Sequence, residues 1–170
     1  MNILDTDIDR RVLVLALARM ADSIGNSFLI VVLPIYIESE LISGSFFGFS
    51  IPLITGIILS MFGFVNSFAQ PITGRLSDRA GKRKVFVIFG LVLLASVNLA
   101  YSIVGSYWGL LVIRALQGIG VAFTVTATIA LVNELSTTMS RGGSMGIYNT
   151  FRLIGFGIGP VMGGAIVHNG

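Results

Sequence analysis

The sequence predicts an all-α, polytopic membrane protein. Of its 170 residues, 54% are hydrophobic and only 11% are charged, which is too little charge to cover the surface of a soluble domain of this length. Its 21 glycines would weaken helices in water, but membrane helices tolerate glycine and use it to approach one another closely. The chain contains no cysteine, so disulfides and cysteine-ligated metals are excluded.

Five apolar stretches are long enough to cross a bilayer. A hydrocarbon core of about 30 Å needs about 20 helical residues at a rise of about 1.5 Å each. Residues 1–10 precede the first stretch, and short polar connections separate the others. The predicted spans are 11–37, 46–73, 84–104, 107–133 and 143–168.

The lysine and arginine residues predict the orientation of these spans. Eight of the 11 lie on one side of the predicted membrane: at residues 10 and 11, in the second connection and in the fourth connection. The first and third connections, which lie on the other side, contain none. By the positive-inside rule, residues 1–10 and the second and fourth connections are cytoplasmic. We therefore expect a multi-pass protein of the cell membrane, with the lipid bilayer as its surroundings. Because topology explains the basic residues, no nucleic-acid partner is expected.

The second connection, Gly74–Lys84, reads GRLSDRAGKRK. Gly74 and Gly81 allow tight turns, and Asp78 can accept hydrogen bonds or pair with neighbouring cations. Charge alone indicates only a solvated basic loop, but the order of residues resembles the major facilitator loop signature G-x-L-a-D-r-x-G-r-k. That resemblance implies that Asp78 and Lys82 help to close a cytoplasmic gate against the other half of the protein.

Two further segments resemble signatures of the same family. Arg114-Ala-Leu-Gln-Gly-Ile-Gly, in the fourth span, is similar to R-x-x-Q-G-x-G, whose arginine is tied to coupling or to the structure of the central cavity. Small residues in the fifth span indicate close helix packing, and its proline indicates a kink; their spacing also resembles the signature of drug/proton antiporters. The positions that match this signature are Gly146, Gly155, Gly159, Pro160 and Gly164.

An internal repeat relates the first span to the fourth. Arg19-x-x-Asp22-x-Ile-Gly-x-x-Phe is followed, 95 residues later, by Arg114-x-x-Gln-x-Ile-Gly-x-x-Phe. An offset of three spans reverses the direction of crossing, which is the pattern of an inverted repeat. The resemblance therefore implies the amino-terminal portion of a major facilitator transporter, with about five helices of a six-helix half. The carboxyl-terminal half would be a missing partner.

The charged residues inside the spans are the candidate coupling or cavity residues. Asp22, the only acid there, is either a structural partner of Arg19 or Arg114, or a carboxyl group that takes up a proton and couples it to transport. Arg152 either faces the cavity, where it could contact an anionic group of the substrate, or pairs with the missing half. Three arginines against one aspartate leave a surplus of two positive charges, which keeps an organic-anion carrier open.

These features predict a secondary active transporter of a small molecule that works by alternating access. The fifth-span signature favours proton-coupled efflux. We expect an ion gradient, of protons, rather than a cofactor or a metal, and no enzyme activity, because no catalytic constellation is found. The alternatives are an importer or uniporter of a sugar or organic anion, and a truncated membrane protein that does not transport.

Overall fold

The computed structural model describes residues 9–38 and 48–169, and within these ranges it contains five α-helices and no β-strand. All five helices are long and apolar enough to cross a membrane, which confirms the predicted all-α, polytopic fold. Most of the predicted cytoplasmic segment 1–10 lies outside the described residues. The helices are α1 (Arg10–Glu38), α2 (Ile51–Ala80), α3 (Arg83–Ala100), α4 (Tyr107–Leu135) and α5 (Arg141–Asn169).

Local hydrogen bonds explain where the helices begin and end. Asp9 caps α1, because its carboxylate oxygen Oδ1 accepts a hydrogen bond of 2.8 Å from the backbone N–H of Arg11. Pro52 lies in the first turn of α2. Backbone N–H groups in a first turn have no partner within the helix, so the absence of one at proline does no harm. At the other end of α2, Gly81 adopts the left-handed conformation with φ of 63° and donates its N–H to the carbonyl of Ser77. This geometry favours glycine at position 81.

The prediction of a loop over residues 74–84 is wrong for most of its length. The helix α2 continues to Ala80, so that only Gly81 and Lys82 separate it from α3. Gly74 is therefore inside a helix and forms no turn. The reason is physical: hydropathy marks where the bilayer ends, whereas a helix continues into water until a residue ends it.

Two other predicted span ends also differ from the helices. The second span was expected to begin at residue 46, but residues 48–50 are not helical and α2 starts at Ile51. The third span was expected to reach residue 104, but α3 ends at Ala100 and a turn follows. In both places apolar residues continue beyond the helix, so hydropathy overestimates its length.

The described chain forms two compact units. The first contains α1 up to residue 32 together with the chain from residue 129 onwards, which is the end of α4 and all of α5. Its hydrophobic core is formed by Val12, Val132 and Tyr148, each exposed by 1% or less. Leu15 and Met145 pack against this core.

The second unit, residues 33–128, contains the end of α1, α2, α3 and most of α4. Next to its core, the Tyr36 hydroxyl donates a hydrogen bond of 2.7 Å to the carbonyl of Val104. Elsewhere in the unit, the Thr73 hydroxyl donates one of 3.1 Å to the carbonyl of Ala122. Helix association in a bilayer depends on such bonds and on van der Waals packing. The buried core residues are Leu33, Ile37, Ile54, Ile58 and Leu110.

Candidate functional site

A polar cluster lies on one face of α1, well inside the predicted membrane span. Arg19 forms an ion pair with Asp22, and 13% and 10% of their side-chain surfaces are exposed. The amide nitrogen of Asn26 donates to the other carboxylate oxygen of Asp22 at 3.3 Å, and to the carbonyl of Asp22 at 3.2 Å. Residues three and four apart share a helix face, so α1 alone assembles this cluster.

Proton transfer would change the state of this cluster. As a carboxylate, Asp22 neutralises Arg19, and both of its oxygens accept hydrogen bonds. Once Asp22 is protonated, it no longer provides a charge, and Arg19 becomes an unpaired cation inside the membrane, which is costly. The protonation state of Asp22 therefore changes the most favourable arrangement of Arg19.

In the first unit, α5 packs directly against the backbone of α1 at two glycines of the fifth-span signature. A Cβ atom on Gly155 would lie 2.5 Å from the carbonyl oxygen of Met20, and one on Gly159 would lie 2.0 Å from the hydroxyl of Ser27. This Ser27 hydroxyl also donates a hydrogen bond of 3.3 Å to the carbonyl of Gly155. Only glycine at these two positions allows so close an approach.

The other positions of this signature are placed differently. A Cβ atom on Gly146 or Gly164 would meet nothing within 4 Å among the described residues, and Pro160 is half-buried inside α5. Gly163, which the sequence analysis did not select, continues the contact, because its Cβ would lie 3.3 Å from the carbonyl oxygen of Phe28. Residues 155, 159 and 163 share one face of α5, and the contacts show that this face is turned towards α1.

Two further residues of α5 belong to the polar part of the first unit. Tyr148 is 1% exposed, and its hydroxyl has no hydrogen-bond partner among the described residues. It packs in one cluster with Val12 of α1, and Arg152 follows it by one turn of α5. Sequence reasoning missed Tyr148, although its i, i+4 spacing from Arg152 on one helix was a usable signal.

Arg114 belongs to the second unit, where it is 2% exposed. Its Nη1 donates to the side-chain oxygen of Gln117 at 3.4 Å, and the Tyr101 hydroxyl donates to the same oxygen at 3.0 Å. The amide nitrogen of Gln117 in turn donates to Asn98 Oδ1 at 2.6 Å. The two copies of the repeat therefore make the same kind of contact, from each arginine to the residue three positions later.

The candidate gate residues lie where α2 meets α3. Asp78 is exposed and pairs with Arg83 at 3.3 Å, whereas Lys82, to which the family resemblance assigns a role, is an exposed residue at the start of α3. Gly81 makes the left-handed turn. Gly74 lies inside α2, where its Cβ would be 3.9 Å from Thr126, so it contributes helix packing rather than a turn.

The described part of the chain contains no group of three or more His, Cys, Asp or Glu residues that could hold a metal ion. The polar clusters described above combine charged side chains with amides, and the second also includes a tyrosine. A carboxyl group can exchange a proton, whereas the other groups can bind polar ligands.

Comparison with known proteins identifies relatives of the chain. Residues 15–170 match the family model of the Major Facilitator Superfamily. The chain is 34% identical to citrate exporter 1 of Aspergillus niger over 64% of its own length and 20% of the exporter's. It is 30% identical to the multidrug resistance protein MdtG of Proteus mirabilis over 84% of its length and 34% of that protein's. It is 27% identical to the MFS antiporter QDR1 of Candida albicans over 68% of its length and 23% of the antiporter's. The matches thus span a fifth to a third of these relatives.

Proposed function

The chain belongs to the Major Facilitator Superfamily, and we propose that it forms the amino-terminal part of a secondary active transporter for a small molecule. The relatives, which include an exporter, a multidrug resistance protein and an antiporter, support this proposal. Transport would proceed by alternating access, in which two helical bundles rock around a site near the bilayer midplane. The second bundle would come from a carboxyl-terminal half. The whole transporter would lie in the cell membrane, with its amino terminus in the cytoplasm.

The observation that carries the proposal is the ion pair between Arg19 and Asp22 inside α1. A charged pair in the middle of a membrane span is costly, and such residues are normally retained for a function. Asp22 would take up a proton on one side of the membrane and release it on the other. Protonation frees Arg19, whose new contacts would favour a second conformation. A proton gradient would therefore drive the conformational cycle.

The second unit would provide the matching element of the cycle. In the second copy of the repeat, Arg114 donates a hydrogen bond to Gln117. The neutral amide of Gln117 thus stands where the first copy has the carboxylate of Asp22. Because an amide has no charge to neutralise it, Arg114 would contribute a positive charge that does not depend on a partner's protonation state. We therefore assign proton uptake to Asp22, and the structure and charge of the cavity to Arg114.

Asp78, Gly81 and Lys82 would form the cytoplasmic gate. The exposed ion pair of Asp78 with Arg83 is weak, because exposed pairs are typically worth about 1 kcal/mol or less, and it could exchange for a contact with the second bundle. Lys82 is exposed next to the fixed turn at Gly81, where it could reach such a partner. Gly155 and Gly159 would keep α1 and α5 together as one body through these movements.

The direction of transport would be outward. The spacing of Gly155, Gly159 and Pro160 is typical of antiporters, and antiporter and exporter names among the relatives support efflux. In this arrangement inward flow of protons would drive the substrate out of the cytoplasm.

Transport in proteoliposomes tests the proposed function. The product of the complete reading frame would be reconstituted with ethidium or labelled citrate as probes, and a pH gradient would be imposed. We expect the gradient to drive accumulation in the wild type, and the Asp22→Asn protein to lose this response. The matched control is Asp9→Asn, which also removes one acid but preserves the helix cap, since Asn and Asp cap helices equally well.

Three results would contradict parts of this proposal. A normal gradient response in the Asp22→Asn protein would remove Asp22 from coupling. Wild-type transport that ignores the pH gradient would indicate a uniporter. A wild-type protein that moves neither probe faster than empty liposomes would indicate a membrane protein without the proposed transport activity.

A further inference from the structure

The contacts between α1 and α5 determine which of their residues lie at the same level. Tyr148 packs in one cluster with Val12 near the start of both helices. Further along, Gly155 contacts Ser23, and Gly163 contacts Phe28. The residue numbers rise together, so the two helices run parallel. On α5, Arg152 lies between Tyr148 and Gly155, and on α1, Arg19 lies between Val12 and Ser23. Arg152 and Arg19 therefore lie in the same layer of the first unit.

This layer of the first unit contains more positive than negative charge. Arg19 and Arg152 each bring one positive charge, and Asp22, which pairs with Arg19, is the only acid within residues 12–28 and 148–163, both of which the structure describes. Arg152 has neither a hydrogen bond nor an ion pair within residues 9–38 and 48–169. Because Arg152 lies about 16 Å along α5 from its first residue, its charge is deep in the predicted membrane span. An unpaired cation at this depth is unfavourable.

Three buried polar atoms in the same layer also lack a hydrogen-bond partner. They are the Tyr148 hydroxyl, the Nε of Arg19 and the Ser23 hydroxyl, each without a partner in the described chain. A buried polar group without a partner is destabilising, and native proteins normally provide one. The two guanidinium groups can only donate, and each carboxylate oxygen of Asp22 already accepts one side-chain hydrogen bond, from Arg19 or from Asn26. Among the described residues of this layer, Asp22 is therefore the one negatively charged acceptor for two arginines.

We propose that Tyr148, Arg152 and the Nε edge of Arg19 form a binding site for one carboxylate group of an organic-anion substrate. Arg152 would provide the balancing charge with its planar pair of N–H donors, which match a carboxylate. Tyr148 would donate one directional hydrogen bond. This inference rests on the proposed function and names the substrate class of the same transporter.

The charge of the layer disfavours a phosphate group as the ligand, and its depth in the span disfavours a phospholipid headgroup. With Arg19 neutralised by Asp22, one positive charge remains, which matches a single carboxylate better than a phosphate group that carries more charge. Lipid headgroups lie at the membrane interface, whereas Arg152 lies well inside the span. The site is therefore suited to a carboxylate that enters the transport pathway, rather than to a structural phospholipid.

Ligand-dependent thermal unfolding of the purified full-length protein tests this site. The probes are citrate, succinate and benzoate, with inorganic phosphate and chloride at matched ionic strength, and titrations would report the half-saturating concentration. We expect a saturable rise in Tm with at least one carboxylate. The Arg152→Gln variant should need a half-saturating concentration more than about tenfold higher, as is typical when a buried charge loses its partner. In Tyr148→Phe the half-saturating concentration should rise by about tenfold, because one hydrogen bond to a charged group is lost.

Two controls separate specific binding from general effects. Citrate and phosphate stabilise many proteins because they are excluded from the protein surface, but that effect does not saturate and would be equal in all variants. Arg141→Gln removes an exposed arginine from the start of the same helix and should leave half-saturation unchanged. Arg152→Lys, which keeps the charge, should recover part of the affinity. If Arg152→Gln does not fold, Tyr148→Phe provides the same comparison.

The outcomes distinguish this inference from the proposed function. The absence of a saturable shift with all three carboxylates, or equal half-saturation in the wild type and Arg152→Gln, would overturn the carboxylate site. A stronger shift with phosphate would also overturn it. If carboxylates bind through Arg152 but a pH gradient drives no transport, the site stands and the proposed function fails. If the gradient drives ethidium while no carboxylate binds, the proposed function stands and the site fails.

Discussion

Replacement of Gly159 by alanine tests the packing of α5 on α1 most severely. The new Cβ atom would lie 2.0 Å from the Ser27 hydroxyl, 2.6 Å from the carbonyl oxygen of Ile24 and 2.8 Å from the backbone nitrogen of Phe28. The Ser27 hydroxyl can rotate away, but the two backbone atoms cannot. Ordinary contacts begin at about 3.5 Å, so α5 must move away from α1 by roughly 0.7–0.9 Å.

The contacts allow an estimate of the cost. Overpacking typically destabilises a protein by about 1–3 kcal/mol. The hydrogen bond from Ser27 to the carbonyl of Gly155, already 3.3 Å long, would be lost in the same movement and would add about 1 kcal/mol. We therefore expect Gly159→Ala to lower the free energy of unfolding by roughly 2–4 kcal/mol. The double variant Gly159→Ala/Ser27→Ala should not recover it, because the clash with the α1 backbone remains.

Equilibrium unfolding in detergent micelles, titrated with a denaturing detergent, measures this loss. Gly157→Ala is the matched control, since a Cβ atom there would meet nothing within 4 Å, and it should unfold like the wild type. Equal stability of Gly159→Ala and Gly157→Ala would refute the close contact between α1 and α5. Full rescue by Ser27→Ala would show that only the serine side chain, and not the backbone, opposes the new methyl group.

Three further substitutions test other contacts of the structure by the same unfolding assay. Thr73→Val removes the hydroxyl that bonds to the carbonyl of Ala122 and should cost about 1 kcal/mol; no change would argue against that bond. Gly81→Ala places a side chain at φ of 63° and should cost about 1 kcal/mol; unchanged stability would contradict a left-handed conformation at position 81. Asn98→Leu leaves the amide of Gln117 without its 2.6 Å acceptor and should cost about 1–3 kcal/mol, whereas stability equal to the wild type would contradict the network.

The sequence predicts those features that depend on one helix or on composition. Five long apolar segments predict five membrane-spanning helices, because only a helix satisfies its own backbone in a bilayer. The contact between Arg19 and Asp22 also follows from the sequence, since residues three apart share a face of α1. The glycine at position 81 predicts a turn because it can adopt the left-handed conformation that ends α2.

Contacts between helices could not be predicted in the same way. The choice of Gly163 rather than Gly164 for contact with α1 depends on which face of α5 turns inwards. The bond between Asn98 and Gln117 joins two helices whose relative rotation the sequence does not state. The importance of Tyr148 depends on its burial next to charges, and a tyrosine near the start of a membrane span is otherwise typical of an interface anchor. Hydropathy did not predict the end of α2 at Ala80, because it indicates which residues lie in the bilayer and not where the helix ends.

We propose that Asp22 carries the transported proton. The most direct test of this proposal is the proton flux itself, recorded with a pH-sensitive dye trapped in proteoliposomes while substrate is added outside. We expect a substrate-dependent pH change for the wild type and for Asp9→Asn, and none for Asp22→Asn, which should still catalyse exchange of substrate across the membrane. A substrate-dependent pH change of normal size in the Asp22→Asn protein would show that Asp22 does not carry the proton.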